Sequence, residues 1–203
     1  MSGTDMNAGR RHFLIGAGVV AAGTAVGIYV VSGLLRDDAT GAGPPAQFKP
    51  GAYLRIDSDD TVTVIIGKSE MGQGVHTGLP MIAAEELDFN PQRVRVEFAG
   101  IDAAFNHPFM KIQFTGGSMS TCTTYMQLRE AGGRARAMLL AAAADHWQVD
   151  AAERRTEDGK VYRGSKALSY GALSGDDSQL PVPEKVTLKD AANFRYLGKP
   201  QRR

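Results

Sequence analysis

The run Gly67-Lys68-Ser69-Glu70-Met71-Gly72-Gln73-Gly74-Val75-His76-Thr77-Gly78 places polar side chains among closely spaced glycines. Glycine lets a backbone approach a ligand closely, and the N–H groups that begin a helix favour anionic groups. A phosphate-bearing cofactor is the chemistry this run suggests, set against the plainer reading of a simple turn. Two generic phosphate fingerprints fail here. Gly67-Lys68-Ser69 ends like a P-loop, but the leading glycine would fall at Val62. Gly72-x-Gly74 needs a third glycine at Thr77 and finds it one place late, at Gly78. A second run, Phe114 to Thr124, combines the Gly116-Gly117 turn with six hydroxyl residues: Thr115, Ser118, Ser120, Thr121, Thr123 and Thr124. Capping needs one or two of these; hydroxyls beside helix-start N–H groups also suit phosphate oxygens. His107 stands in an irregular loop without a second ligand at metal spacing and reads as polar surface.

The elements that must hold these runs are legible from periodicity. Tyr53–Ile56 and Thr61–Ile66 flank the turn-rich Asp57-Ser58-Asp59-Asp60 and predict an antiparallel hairpin whose second strand delivers the first glycine run. Val62, Val64 and Ile66 alternate as a half-buried strand does. Leu79, Ile82, Ala83 and Leu87 share one helical face, with Thr77 expected as cap and Pro80 in the first turn. Asn90-Pro91 ends that helix, and Val94, Val96 and Phe98 alternate as a third strand. Tyr125, Leu128, Ala135, Leu139, Ala142 and Trp147 predict a long helix from about Ser120 to Trp147, on which Arg129, Arg134 and Arg136 read as a solvated face. Asp158-Gly159 centres a small hairpin over 155–163, and a short helix beginning at Ser169 is broken by Gly175-Asp176-Asp177-Ser178. The expected class is α+β: a short antiparallel or mixed sheet packed against two helices, one long, preceded by an apolar N-terminal helix.

Glu70-Met71-Gly72-Gln73-Gly74-x-His76-Thr77 and its continuation Gly78-Leu79-Pro80-Met81-Ile82-Ala83-Ala84-Glu85-Glu86-Leu87 resemble the cofactor-binding segment of the molybdenum hydroxylases. The likeness is to the molybdopterin-binding large subunit of the isoquinoline 1-oxidoreductase type, and Leu180-Pro181-Val182-Pro183 and Leu197-Gly198-Lys199-Pro200 extend it. It implies cofactor contacts from Gly72, Gln73 and Gly74 and from Thr115, Gly117, Ser118, Ser120 and Thr121. It also implies a molybdenum–molybdopterin, in the cytosine dinucleotide form, and oxidation of aldehydes or N-heterocycles with water as oxygen source. The family's base glutamate and substrate pocket fall outside the matched stretch, as does the rest of the large subunit. The expectation is therefore a split or truncated chain, inactive by itself, with no catalytic or metal-ligating residue of its own. Glu70 is expected to serve loop geometry, and Glu85 and Glu86 helix solvation. Electrons would leave through a small [2Fe-2S] partner subunit.

Cys122 is the lone cysteine, so this chain cannot supply an internal disulfide or a cysteine-ligated cluster. The formal net charge of +1, with signs interspersed, argues against a nucleic-acid surface. Residues 1–36 contain Arg10-Arg11-His12-Phe13-Leu14 and an apolar run to Leu35, a twin-arginine export signal or a plain membrane anchor. Either places the body in the periplasm, and a retained anchor would tether it to the membrane. Residues 37–50, with Gly41, Gly43, Pro44 and Pro45, read as a flexible linker, leaving 51–200 as the partial cofactor-binding domain. A noncatalytic exported module binding phosphate or a nucleotide is the alternative.

Overall fold

The computed structural model describes residues 47–149, 154–177 and 180–200. The twin-arginine segment, its apolar run and most of the linker lie outside the described residues. The first sheet contains β1 (Gln47–Gly51), β2 (Leu54–Asp57), β3 (Val62–Ile66) and β4 (Arg95–Phe98), hydrogen-bonded in that order. β1 lies in the stretch expected as linker, so the sheet begins earlier than composition suggests. The expected hairpin pairs Leu54 with Val64 and Ile56 with Val62 across the strands. All four side chains are fully buried, and burying each contributes about 1.5–3 kcal/mol. Thr63 is buried as well, so β3 is not the half-buried strand its alternation predicts.

Helix α1 (Val75–Leu87) carries the chain from β3 to β4, which therefore pair parallel, with Val64 opposite Val96. The sheet is mixed. α1 takes Gly74 as its N-cap, three residues before the expected Thr77, and Pro80 lies inside the helix rather than in its first turn. Beyond β4, α2 (Ser120–Trp147) takes the span its apolar spacing predicts and ends at Gln148, whose left-handed backbone (φ 52°) returns its N–H to Ala144 and Asp145. α1 and α2 cross at Gly132, where a Cβ would fall 2.3 Å from the carbonyl oxygen of Ala83. Only glycine permits that approach.

The remaining elements form a second sheet, which the sequence reading shows only as one hairpin. β5 (Arg155–Glu157), β6 (Lys160–Arg163) and β7 (Lys166–Ser169) pair antiparallel in order, followed by α3 (Tyr170–Asp177). Buried Tyr170 donates its hydroxyl to the Leu87 carbonyl at 2.7 Å and so fastens α3 to the end of α1.

Glu85 and Glu86 correct the sequence reading most sharply, for both are fully buried. Glu85 accepts the backbone N–H groups of Arg195, Tyr196 and Leu197, at 3.0, 2.7 and 3.1 Å, and pairs with Lys189. Burial raises its pKa, but these donors outweigh it and hold the carboxyl below its ordinary value. Glu86 takes Arg129 and the Lys189 backbone N–H, with Arg136 at 3.7 Å. Arg129 and Arg136 are thus partly buried pairing partners rather than a solvated face, whereas the more exposed Arg134 pairs with Glu130 one turn away. Together the two carboxylates bind the 186–197 segment, which includes the 3-10 turn Ala191–Asn193, across α1 and α2.

Candidate functional site

The first glycine run closes on itself around Glu70. Its carboxylate accepts the backbone N–H groups of Gly72 (2.8 Å), Gly74 (3.0 Å) and His76 (2.8 Å). The His76 and Gly74 bonds, with that of Gly72, hold its pKa below the ordinary value. The start of α1, read from sequence as a seat for an incoming phosphate, is therefore partly filled by an internal carboxylate. Gln73 is also engaged within the loop: its amide accepts from the Met71 N–H and donates to the Ser69 carbonyl at 2.8 Å. Gly72 and Gly74 have φ of 92° and 84°, a region L side chains rarely adopt, and a Cβ at either would meet open space. Their outer face is bare backbone, suited to close approach by a flat or anionic group.

The second run lies against the first. The Ser69 N–H donates to the Thr115 hydroxyl at 3.0 Å, and Lys68 Nζ donates to the Phe114 carbonyl at 2.9 Å. Gly117 and Ser118 are consecutive left-handed residues, with φ of 61° and 56°, turning the chain into α2. Of the six hydroxyls, those of Thr123 and Thr124 donate back to the carbonyls of Met119 and Ser120, as helix-interior hydroxyls commonly do. Ser118, Ser120 and Thr121 instead share the walls of a cavity of about 230 Å³ with Gln73, Gly74, Val75, Gly78 and Leu79. Five of the eight expected cofactor contacts, Gln73, Gly74, Ser118, Ser120 and Thr121, thus come together from segments more than forty residues apart. Thr115 lines a larger cavity of about 690 Å³ on the other side of the loop; Gly72 and Gly117 line neither.

Two residues differ from their sequence reading. Lys68, weighed there only as the tail of a failed P-loop, is 3% exposed and lines the larger cavity. Burial lowers its pKa, with nearby Cys122 acting in the other direction. A lysine two residues after a buried strand is the available signal. His107, read as polar surface, is 2% exposed. Its Nδ1 accepts from the N–H groups of Phe109 and Met110, both at 3.2 Å, and organises that loop. Among the described residues no group of three or more His, Cys, Asp or Glu side chains is arranged to hold a metal ion.

The geometry suits an organic cofactor held by backbone and hydroxyl contacts. The small cavity alone is below the usual 300–1,000 Å³ of a ligand pocket, and the larger one falls within that range. Residues 4–202 match the molybdopterin cofactor-binding domain. The chain is 36% identical over 179 residues to the isoquinoline 1-oxidoreductase subunit beta of Brevundimonas diminuta, covering 86% of this chain and 22% of that protein. It is 30% identical over 156 residues to a membrane-bound aldehyde dehydrogenase (pyrroloquinoline-quinone) of Gluconacetobacter polyoxogenes, covering 74% and 20%. Quinoline 2-oxidoreductase from Pseudomonas putida 86 is a structural neighbour at 21% identity and a TM-score of 0.45, covering 66% of this chain and 17% of that one. The chain spans about a fifth of the length of these curated relatives. With the family match running over almost all of the sequence and 36% identity to the isoquinoline 1-oxidoreductase subunit, the chain belongs to the molybdopterin cofactor-binding domain family of the molybdenum hydroxylases.

Proposed function

We propose that this chain is the cofactor-gripping portion of a periplasmic molybdenum hydroxylase large subunit. In this reading it acts with the remaining portion of that subunit and with a small [2Fe-2S] subunit, and it is inactive alone. The observation that carries the reading is the meeting of the two segments, Ser69 N–H on the Thr115 hydroxyl, with bare glycine backbone on one side and Ser118, Ser120 and Thr121 on the other. The bound centre would supply two-electron oxidation of an aldehyde or N-heterocycle with oxygen taken from water. This chain's own part is to bind and orient. Gly72 and Gly74 admit the cofactor to the backbone, the three hydroxyls hydrogen-bond its polar edge, and Glu70 and Gln73 keep the loop in shape. The cytosine dinucleotide form and twin-arginine export, with or without a retained anchor, complete the proposal.

The experiment is molybdenum content per complex after co-expression with the remaining subunits, measured beside the melting profile. Gly74→Val places a β-branched side chain at φ 84° and closes the bare face, and should nearly abolish molybdenum retention. Ser118→Ala with Ser120→Ala and Thr121→Ala should lower retention by about 1–3 kcal/mol of binding without unfolding the chain. Wild-type molybdenum in Gly74→Val would overturn the reading. Pyrroloquinoline quinone in place of molybdenum would do the same, and the name of the Gluconacetobacter relative makes that assay worthwhile.

A further inference from the structure

The larger cavity, about 690 Å³, is walled by Ile66–Met71, Phe98–Ile101 and Gln113–Thr115. Most of its polar side chains are already engaged. The Glu70 carboxylate is turned onto the loop N–H groups. Gln113 donates to the Gly100 carbonyl at 2.9 Å and accepts from the Asp102 N–H at 3.3 Å. The Thr115 hydroxyl accepts from Ser69, which leaves its own hydrogen to donate. Lys68 is different. Its ammonium carries three N–H groups, yet its hydrogen-bond partner is the single Phe114 carbonyl, and none of the ion pairs among the described residues includes it. A cation 3% exposed with no carboxylate paired to it among the described residues is costly, and proteins ordinarily neutralise one with a paired anion.

We propose that Lys68, with the Thr115 hydroxyl that lines the same cavity, forms an oxyanion-binding subsite there. The ammonium receives a phosphate or carboxylate oxygen of the bound organic molecule. The subsite itself follows from the local geometry; only the source of the oxyanion, cofactor phosphate or substrate carboxylate, rests on the proposed function.

The test is calorimetric titration of the full chain with inorganic pyrophosphate and, separately, with benzoate, comparing wild type, Lys68→Met and Lys68→Arg. Saturable binding that falls about tenfold or more in Lys68→Met and stays near wild type in Lys68→Arg is expected, the size of one charge-assisted hydrogen bond. Preference for pyrophosphate assigns the oxyanion to a phosphate, and preference for benzoate to a carboxylate. Circular dichroism checks the fold of Lys68→Met. Should that variant unfold, the side-chain Cε resonance of Lys68 in the wild-type chain decides, since it must shift on saturation with the bound anion. Absence of saturable binding of either anion, affinity unchanged in a folded Lys68→Met, or an unmoved Lys68 resonance at saturation overturns the subsite. None of these readouts needs molybdenum, so failure here is separable from failure of the cofactor reading.

Discussion

Glu70 sits where an anion would otherwise meet the first turn of α1, so a ligand reaching this loop must contact it from the side of Gly72 and Gly74 or from the hydroxyls of the second segment. The same carboxylate makes the loop sensitive to acid. Its folded pKa lies below the ordinary value of 4.5 because backbone N–H groups stabilise the charged form. The sign follows from linkage: the contribution to loop order is fully present above the unfolded pKa and is lost as pH falls through the depressed folded one. Amide resonances of Gly72, Gly74 and His76 should therefore hold steady from neutrality into the mildly acidic range. They should then move together, with a midpoint below 4.5. Glu70→Gln should abolish that transition. A midpoint at or above 4.5 would mean the carboxylate does not hold the loop in solution.

At the level of elements, the crossing of α1 and α2 depends on Gly132. Adding one methyl there drives a Cβ to 2.3 Å from the Ala83 carbonyl and 2.9 Å from Glu86 Cβ, which forces the helices apart. Gly132→Ala should cost about 1–3 kcal/mol despite alanine's better helix propensity, read as a lowered denaturant midpoint at unchanged slope. An unchanged midpoint would show that the crossing can relax freely. The helices themselves were readable from the chain: the apolar spacing of Tyr125 to Trp147 gives α2 its bounds because a period of 3.6 needs no tertiary information. The positions of Glu85, Glu86 and His107 were not readable. A charged or polar side chain is expected outside unless its partners are known, and Arg195 to Leu197 lie over a hundred residues further along. β1 is hidden by composition, since Gln47-Phe48-Lys49-Pro50 holds one strand-forming apolar residue and ends on a proline. At the candidate site the two segments were visible as motifs, but their meeting was not. Lys68 was passed over because its role depends on the Phe114 carbonyl, 46 residues away.

For the whole molecule, the proposed export route makes its own claim. If Arg10-Arg11 is read by the twin-arginine receptor, replacing both by Lys removes the paired guanidinium groups while keeping the charge. The chain should then stay in the cytoplasm by fractionation, whereas periplasmic delivery at the wild-type level would favour a plain anchor. Folding before export suits a body whose far segment is bound back onto its first helix. Residues 82–89 are buried without interruption, walled by the sheet, by α2 and by the 186–197 segment that Glu85 and Glu86 hold. A helix enclosed on so many sides has no local way to open. Its backbone amides should exchange hydrogen for deuterium only when the entire body unfolds, so their rate reports global stability. The amides of Ser69 to Gly74, a few residues away and exposed, should exchange by small local openings at a far higher rate. That contrast would place the boundary between the rigid and the adaptable part of the molecule at the first turn of α1.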